Sequence, residues 1–446
     1  MLIKMLRRKD LSPAQILVAG YFSVILSGTI LLMLPIATTS DGSLGFIDSL
    51  FTATSATCVT GLIVVNTAEV FTVFGQLVIM ILIQIGGLGI MSMSTMIAFV
   101  LGKKISLRER LIILEDLNQF KLSGLVRLVQ YVLGITFIIE GTAALIMFLR
   151  LIKDYSIIRS LYLAVFHSVS AFNNAGFDIF GNSLENFTGD ITINFVIMGL
   201  IILGGIGFGV LVEVFNNFRN LREVSLQTKI VLVVTLLLLI SGFIFIFLLE
   251  YSNSATMGNL PFGEKILSSM FLSVTPRTAG FNTVPTGALR SSTLFFVIIL
   301  MFIGASPGST GGGIKTTTFG VMLITTWNMI TGKNDIEIYN RRLEEEIVLK
   351  AMAIAMLSLG LVVFVTLILT ISENIKFLPM LFETVSAFGT VGLSTGITST
   401  LSSFGRILIT LTMFAGRVGP LTLAVAFAEK KMRGTYHYPT EKIMVG

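Results

Sequence analysis

One short polar stretch decides the organisation of this chain: Phe51-TATSATCVT-Gly61-Leu62. The pattern of a leading phenylalanine, small and hydroxyl-bearing residues and a final glycine occurs three more times in the 446 residues. The other copies read Phe166-HSVSAFNNA-Gly176-Phe177, Phe271-LSVTPRTA-Gly280-Phe281 and Phe382-ETVSAFGTV-Gly392-Leu393, and the third is one residue shorter. Sequence self-similarity at a regular spacing is typical of a repeat architecture. The four copies therefore predict a fourfold internal repeat.

A second glycine-rich sequence accompanies each copy, with its first glycine 24 to 28 residues after the glycine of the polar stretch. These sequences are Ile85-GGL-Gly89, Leu203-GGI-Gly207, Ile303-GAS-Pro307 and Ala415-GRV-Gly419. A long apolar run precedes each polar stretch, and another apolar run carries the second motif. Each repeat is therefore predicted to be a span, a short segment, a glycine turn and a second span. Four such repeats give an all-α integral membrane protein with eight transmembrane helices around one central pore.

The composition agrees with a membrane location. Hydrophobic residues make up 54% of the chain and charged residues 13%, whereas a soluble domain carries about 25% charged residues. About 20 apolar residues suffice to cross a bilayer. Four longer runs without Asp, Glu, Lys or Arg are Ala14–Ser40, Phe71–Gly102, Ile230–Leu249 and Ala351–Ser372. The predicted repeats are residues 1–110, 111–225, 226–340 with a broken second helix, and 341–446 with a cytoplasmic tail.

The basic residues indicate the orientation of the chain. Of the 31 Lys and Arg residues, 21 lie on alternate connections between the apolar runs. The positive-inside rule assigns these connections to the cytoplasm, together with both termini. The basic leader, Lys4 to Lys9, runs into an apolar segment that is too long for a cleavable signal peptide. This distribution explains the net charge of +6 as a topology signal and predicts a lipid bilayer, and no nucleic acid, as partner.

Few residues are suited to metal or acid–base chemistry. The single cysteine, Cys58, excludes disulfides within the chain and multi-cysteine zinc sites, and there are two histidines. No paired carboxylates and no nucleophile–histidine set occur in the sequence. We therefore expect neither an enzyme nor a cofactor bound to this chain.

The polar stretches are predicted to form a cation filter. Each is too short to cross a bilayer, and irregular backbone at membrane depth occurs only where it is buried in protein or lines a water-filled cavity. A dehydrated K⁺ needs oxygen ligands, which rings of main-chain carbonyls supply. Glycine allows the positive φ that turns such carbonyls inward. The predicted ion-binding residues are Cys58, Val59, Thr60, Gly61, Asn173, Asn174, Ala175, Gly176, Arg277, Thr278, Ala279, Gly280, Gly389, Thr390, Val391 and Gly392.

The side chains of these residues differ widely between copies, which main-chain coordination permits and side-chain coordination would not. The alternative is that the four stretches are ordinary outer loops with turn glycines. Four copies in register, each after an amphipathic stretch, favour the pore.

The third repeat contains a break in its second span. Between the apolar runs Phe295–Ile303 and Phe319–Thr325, the stretch Ala305–Lys315 carries one proline and four glycines, which cannot sustain a helix. Its spacing resembles a phosphate-binding loop, but Ile314 separates the last glycine from Lys315, so nucleotide binding is rejected. We expect a flexible gate below the filter, and the alternative is a kink that never moves. The predicted gate residues are Ser306, Pro307, Gly308, Ser309, Thr310, Gly311, Gly312, Gly313, Lys315 and Arg417.

Four ionisable residues lie within predicted membrane segments, where a charge is a functional hypothesis by default. Arg417 aligns with Gly87, Gly205 and Ala305 of the other repeats. It is expected to face the pore, where it bonds loop carbonyls or repels cations. Glu140 lies in the first helix of a repeat and is interpreted as a packing or interface residue. His167 and Glu383 occupy equivalent positions and are expected to form buried hydrogen bonds.

The four turns together with Gly304-ASPGSTGGGIKTTT-Phe319 resemble the Trk/Ktr/HKT superfamily of cation transporters over nearly the whole chain. Eight spans without two additional N-terminal helices resemble the Ktr branch. The resemblance implies K⁺ uptake across the bacterial cell membrane by a homodimer with one pore in each protomer. It also implies a cytosolic ring partner of the nucleotide-binding type, which binds ATP or ADP. Na⁺ often stimulates uptake by this branch.

In this superfamily, glycine at all four filter positions accompanies K⁺ selectivity, and Gly61, Gly176, Gly280 and Gly392 match that pattern. The nearest alternative is a Na⁺-permeable transporter. A secondary transporter of another solute is a further alternative, but such folds usually contain twofold or inverted repeats.

Overall fold

The computed structural model describes residues 12–39, 44–89, 125–220, 222–333, 335–427 and 441. The described chain is predominantly helical, with one hairpin of two-residue strands, β1 (Glu337–Ile338) and β2 (Arg341–Arg342). The predictions for the basic leader, for most of the connection after repeat 1 and for most of the C-terminal tail lie outside the described residues.

Each repeat begins with one long apolar helix. These four helices are long and apolar enough to cross a membrane, and the part of the chain that the structure describes contains five such spans if one bent pair is counted. Ser12 caps the first helix through reciprocal hydrogen bonds with Gln15, and Ser225 caps the third. Such caps satisfy main-chain N–H groups that a helix start leaves free. The helices are α1 (Pro13–Leu32), α5 (Leu125–Leu151), α9 (Leu226–Glu250) and α13 (Glu345–Ser372).

A shorter helix contains the first part of each polar stretch. These helices are α2 (Phe46–Thr57), α6 (Ile157–Phe172), α10 (Phe262–Val274) and α14 (Phe377–Gly389). The leading phenylalanines of the four motifs, Phe51, Phe166, Phe271 and Phe382, are all fully buried in them. Burial of an aromatic ring of this size contributes strongly to a core. The repeated phenylalanine therefore anchors each short helix among the surrounding helices.

A second apolar helix follows each turn and ends at the second motif. These helices are α4 (Val73–Leu88), α7 (Ile191–Ile206), α11 (Ser291–Phe302) and α15 (Ser403–Val418), and the four-residue helix α3 (Thr67–Val70) precedes α4. Further helices, α8 (Phe208–Asn216), α12 (Thr316–Ile330) and α16 (Pro420–Phe427), follow the breaks in the later repeats. Helices α7 and α8 meet at an angle of 99°.

Breaks therefore follow the second helix of the second and fourth repeats as well, where the sequence analysis predicted a break in the third repeat alone. Gly207 and Gly419 adopt φ values of 101° and 93° at the two breaks, and Gly89 adopts 85° where α4 ends. Left-handed φ interrupts a right-handed helix, and glycine adopts it without a Cβ penalty. The last glycine of the second motif carried this signal.

Candidate functional site

The four motif glycines lie together and form a closed ring. Their φ values are 89° for Gly61, 67° for Gly176, 75° for Gly280 and 87° for Gly392. A Cβ atom built on Gly61 would lie 3.0 Å from the Cα of Gly176, and one on Gly176 would lie 2.9 Å from the Cα of Gly280. A Cβ atom built on Gly280 would lie 3.2 Å from the Cα of Gly392, and one on Gly392 would lie 3.0 Å from the Cα of Gly61. The structure thus brings the four predicted turns together, in chain order, as the glycine ring.

A second residue with positive φ precedes each ring glycine by two positions. These residues are Val59 at 57°, Asn174 at 58°, Thr278 at 69° and Thr390 at 50°. Left-handed backbone is unfavourable for the β-branched Val59, Thr278 and Thr390 and costs about 1 to 3 kcal/mol at each of them, whereas asparagine adopts it more readily. The surrounding contacts must impose this conformation, since local preference opposes it. Sequence reasoning therefore missed the feature, which reverses the chain immediately after each short helix.

Every turn is closed by the same main-chain hydrogen bond. The N–H of the residue before the ring glycine donates to the carbonyl of a hydroxyl-bearing residue near the end of the short helix. The pairs are Thr60 to Ser55 (2.7 Å), Ala175 to Ser170 (2.8 Å), Ala279 to Thr275 (3.0 Å) and Val391 to Ser386 (2.8 Å). In the third repeat, whose motif is one residue shorter, the bond encloses one residue fewer. The difference in length therefore lies within the turn, and Gly280 keeps its position in the ring.

Three of these hydroxyl groups also hold the segment that follows the glycine. Ser55, Ser170 and Thr275 donate to the carbonyls of Leu62, Phe177 and Phe281, respectively. Ser55 also accepts the N–H of Gly61 at 3.1 Å. The buried Ser386 hydroxyl has no partner among the described residues. We call the first three bonds the hydroxyl bridges, because each ties the short helix to the far side of its turn.

The electrostatic setting of the ring follows from the short helices. Helices α2, α6, α10 and α14 all run into the ring at their C-terminal ends. The C-terminal end of a helix carries a partial negative charge from its free carbonyl groups. Apart from the half-buried Gly176 and Gly280, the predicted filter residues are buried. The arrangement can therefore offer oxygen atoms and a negative potential to a cation.

The predicted gate residues form an irregular loop, residues 303–315, that packs against the ring. Its ends meet through a bridge between Ile303 and Ile314. A Cβ on Gly311 would lie 2.1 Å from the Thr278 hydroxyl oxygen, and the N–H of Gly312 donates to the Thr390 hydroxyl at 2.8 Å. The loop glycines are therefore required by close approach to two ring turns.

Main-chain bonds also join the 303–315 loop to the break in the second repeat. The N–H of Ser306 donates to the Gly205 carbonyl at 3.0 Å, and the N–H of Phe208 donates to the Gly308 carbonyl at 2.8 Å. The loop thus lies across the pseudo-fourfold arrangement and contacts three repeats.

Two cationic side chains hold the loop. Arg417 donates from one guanidinium nitrogen to the Thr310 carbonyl and from another to the Gly86 carbonyl. The Lys315 ammonium donates to the Gly311 carbonyl at 2.7 Å. Both side chains, together with Lys350, line a cavity of about 260 Å³. Arg417 therefore bonds a loop carbonyl, which is one of its two predicted roles, and lines the cavity, while repulsion of cations stays a prediction.

The two ionisable residues of the short helices form buried hydrogen bonds, as predicted. His167 Nδ1 bonds the Leu163 carbonyl at 2.7 Å, and its Nε2 accepts the N–H of Ile179 at 3.3 Å. Glu383 accepts hydrogen bonds from the hydroxyl groups of Ser394 (2.8 Å) and Thr398. Each side chain fastens its short helix to the segment after the turn.

Glu140, which the sequence indicates as a packing or interface residue, also makes a polar contact. Its carboxylate accepts a hydrogen bond from Asn173 at 3.0 Å. Asn173 is one of the predicted filter residues, so Glu140 is directly bonded to the candidate site. No group of three or more His, Cys, Asp or Glu side chains suited to a metal ion occurs in the described ranges.

Residues 8–436 match the family model described as TrkH, cation transport protein. The chain belongs to this family. It is 46% identical over 443 residues to Ktr system potassium uptake protein B of Bacillus subtilis, and the alignment covers 99% of each chain. It is 39% identical over 445 residues to potassium/sodium uptake protein NtpJ of Enterococcus hirae, with 98% of each chain covered.

A solved TrkH-family structure has the same fold. The potassium transporter TrkH from Vibrio parahaemolyticus superposes with a TM-score of 0.75 over 95% of this chain and 86% of that chain, at 16% identity. The TrkH family comprises cation transport proteins, so the chain is a membrane transport protein of the Trk/Ktr type and not an enzyme.

Proposed function

We propose that this chain is the ion-translocating membrane subunit of a K⁺ uptake system. The observation that carries the proposal is the closed glycine ring, in which four turns with positive φ present main-chain groups to one point. The negative ends of four helices converge there, which favours a cation. Main-chain carbonyls are suitable ligands for dehydrated K⁺. The printed names of the relatives, which include potassium uptake proteins, support K⁺ as the transported ion.

The proposed architecture has four repeats and eight crossings, with both termini in the cytoplasm of a bacterial cell. Residues 1–110, 111–225, 226–340 and 341–446 form the repeats. Each first helix crosses the membrane unbroken, and each second crossing consists of the helix that follows the turn and the chain beyond its break. Broken helices next to a pore are typical of membrane transport proteins, because their free main-chain groups can line a polar cavity.

The 303–315 loop is the proposed gate. It packs directly against two ring turns, and its carbonyls are held by Arg417 and Lys315. Withdrawal of the loop would connect the ring with the 260 Å³ cavity. The polar bonds between loop and neighbouring repeats are few enough to be exchanged for bonds to water when the loop moves.

We further propose that the chain forms a homodimer and works with a cytosolic ring protein that binds ATP or ADP. We also propose that Na⁺ stimulates K⁺ uptake by this system. The gate loop continues directly into α12, whose C-terminal turn exposes Trp327, Met329 and Ile330. This turn is followed by Lys333 and by the β1–β2 hairpin, which carries Arg341 and Arg342. A basic connection with exposed apolar side chains suits a cytosolic partner of this kind.

The experiment that tests the proposal is flux into liposomes that contain the purified full-length chain. We expect uptake of ⁸⁶Rb⁺ that excess K⁺ abolishes and that excess Na⁺ leaves largely intact. Equal competition by Na⁺ would instead support a Na⁺-permeable transporter. Absence of Rb⁺ flux, with stable incorporation of folded protein, would favour a transporter of another solute.

A further inference from the structure

A buried triangle of polar side chains lies behind the second ring turn, and the conduction mechanism described above does not use it. Asn173 Nδ2 donates to Gln84 Oε1 at 2.9 Å and to Glu140 Oε1 at 3.0 Å. Gln84 Nε2 donates to Glu140 Oε2 at 3.3 Å. Glu140 is 5% exposed and Asn173 fully buried. The triangle joins α4 of the first repeat to α5 and to the turn after α6 of the second repeat.

The orientation of the Asn173 amide is fixed from outside the triangle. Its Nδ2 also lies 2.9 Å from the Val169 carbonyl, so the two N–H groups of this amide are shared among three acceptors. A rotated amide would place oxygen against that carbonyl, and two acceptors would then face each other. Asn173 therefore presents only a donor to Gln84 and Glu140.

The orientation of the Gln84 amide and the ionisation state of Glu140 follow from the donors and acceptors that each side chain faces. Because Asn173 donates to Gln84 Oε1, the Gln84 nitrogen must face Glu140. Glu140 thus meets a donor at each oxygen, which an ionised carboxylate accepts without conflict. A protonated carboxyl would aim its O–H at one of these donors or into the largely apolar cavity of about 350 Å³ beside it, where the group would lack a partner.

The fold does not require an acid at this place. The Glu140 main-chain carbonyl accepts a hydrogen bond from Ser168 at 2.6 Å, and in the third repeat the Leu239 carbonyl accepts the equivalent bond from Ser273 at 2.7 Å. Leu239 therefore occupies the corresponding position with an apolar side chain. The carboxylate of the second repeat is an addition to a packing arrangement that is complete without it.

We infer that Glu140 is a positioning residue for ion selection, which as a carboxylate holds Asn173 in the second turn and adds a negative charge behind the proposed filter. This inference rests on the proposed function. Held in this way, Asn173 keeps the turn before Gly176 at its place in the ring. A fixed negative charge in a medium of low dielectric also attracts a cation more strongly than it would in water.

The test exchanges two corners of the triangle. In Glu140→Gln, two amide nitrogens of the triangle must face each other whichever way the side-chain amides at positions 84 and 140 rotate, and the charge is lost. We expect at least a threefold rise in the KM for Rb⁺ and a threefold loss of Rb⁺-over-Na⁺ preference, measured in liposomes with the full-length chain. In the double variant Glu140→Gln/Gln84→Glu, each donor again meets an acceptor and the charge returns. We expect both quantities to recover to within twofold of the parent.

A matched control is Glu373→Gln. Glu373 is another buried acid, but it caps the start of α15 by accepting from Ser402. That variant is expected to lower thermal stability while KM and ion preference stay at the parent's values. Parental KM and preference in Glu140→Gln would overturn the inference. A folded double variant whose KM or ion preference differs from the parent's by threefold or more would also overturn it, and this arm decides the matter if Glu140→Gln alone does not fold.

The proposed function is tested separately in the same assay. A Gly61→Ser variant that retains the parent's ion preference would remove the filter assignment itself. Loss of preference in Gly61→Ser, together with parental behaviour of Glu140→Gln, would leave the filter in place and exclude only the role of Glu140.

Discussion

The glycine ring and the 303–315 loop touch each other but are built in opposite ways. The ring consists of four similar turns, each closed by its own short-range hydrogen bond and each in contact with two neighbours. The loop exists once and is held by bonds to other repeats and by the side chains of Arg417 and Lys315. A structure closed by local bonds resists displacement, whereas a segment held by exchangeable long-range bonds can be released. The difference predicts that the ring is rigid and that the loop is the segment that moves.

Of the changes considered, shortening the loop should have the largest effect, and we expect it on the rate of Rb⁺ flux. Deletion of residues 308–310 removes the carbonyl that Arg417 binds and spares Gly311 and Gly312, which contact the ring turns. We expect Rb⁺ flux to rise at least tenfold while Rb⁺-over-Na⁺ preference stays within twofold of the parent. A folded deletion variant that conducts at the parent's rate would show that the loop is a fixed kink.

Gly61→Ser alters the ring instead of the loop. The new Cβ would lie 2.5 Å from the Ala175 carbonyl oxygen, at a residue whose φ is 89°. Because both the contact and the backbone angle oppose a side chain, we expect about a tenfold loss of Rb⁺-over-Na⁺ preference in competition assays. Gly280→Ser should act in the same direction.

The matched control in the same repeat is Gly45→Ser. Gly45 caps α2 at a φ of −58°, and no atom lies within 4 Å of its built Cβ. Serine is favourable at such a helix start. Equal ion preference in Gly61→Ser and Gly45→Ser would contradict the rigidity assigned to the ring.

Arg417 lies at the boundary between the ring and the loop. Two substitutions there can separate the effect of its charge from the effect of its hydrogen bonds. A cation 4 Å from a fixed guanidinium experiences about 4 kcal/mol of repulsion at an effective dielectric constant of about 20. Arg417→Gln removes the charge, and Arg417→Lys keeps it but loses the planar donors that reach Thr310 and Gly86 together. We expect Rb⁺ flux in the order Gln, then Lys, then parent, with several-fold steps and unchanged ion preference.

Arg406→Gln provides the control on the same helix, since Arg406 pairs with Asp48 and makes no bond to the loop. Flux in this variant should equal that of the parent. If the Rb⁺ flux of Arg417→Lys also equals that of the parent, the charge alone closes the pathway. If the parent, Arg417→Gln and Arg417→Lys all conduct equally, Arg417 does not face the pathway.

The hydroxyl bridges should give the smallest effect. Ser55→Ala removes the partner of the Leu62 carbonyl and of the Gly61 N–H, and unsatisfied buried groups cost about 1 to 3 kcal/mol. The main-chain bond that closes the turn remains, so we expect only a two- to threefold loss of ion preference. Ser386→Ala is the control, because its hydroxyl has no partner among the described residues. A loss of the same size in Ser386→Ala would assign the effect to packing rather than to the bridge.

The features that could be predicted from sequence are those that recur or that break a rule of helix chemistry. The four glycines were recognisable because each copy supports the others, and the loop because proline and glycines interrupt an apolar run. The breaks at Gly207 and Gly419 were missed, although the second motif contained their glycines. A single glycine inside an apolar run is compatible with a continuous helix, so composition alone could not separate the two cases.

Other features depend on contacts that no local pattern encodes. The left-handed conformations of Val59 and Thr390 oppose their own preferences and exist because neighbouring turns impose them. The bond between Glu140 and Asn173 joins residues that belong to different helical elements, and nothing in the spacing indicates that their side chains meet. An acid in an apolar run signalled a special role without revealing its partner.

The direct continuation of the 303–315 loop into α12 has a mechanical consequence. A helix of 15 residues is a rod about 22 Å long, because each residue rises 1.5 Å. A push or a pull on Ile330 at one end of the rod therefore arrives at Lys315 at the other end without an intervening joint. Work done at Ile330 would then be delivered to Lys315, whose ammonium group bonds the Gly311 carbonyl of the loop.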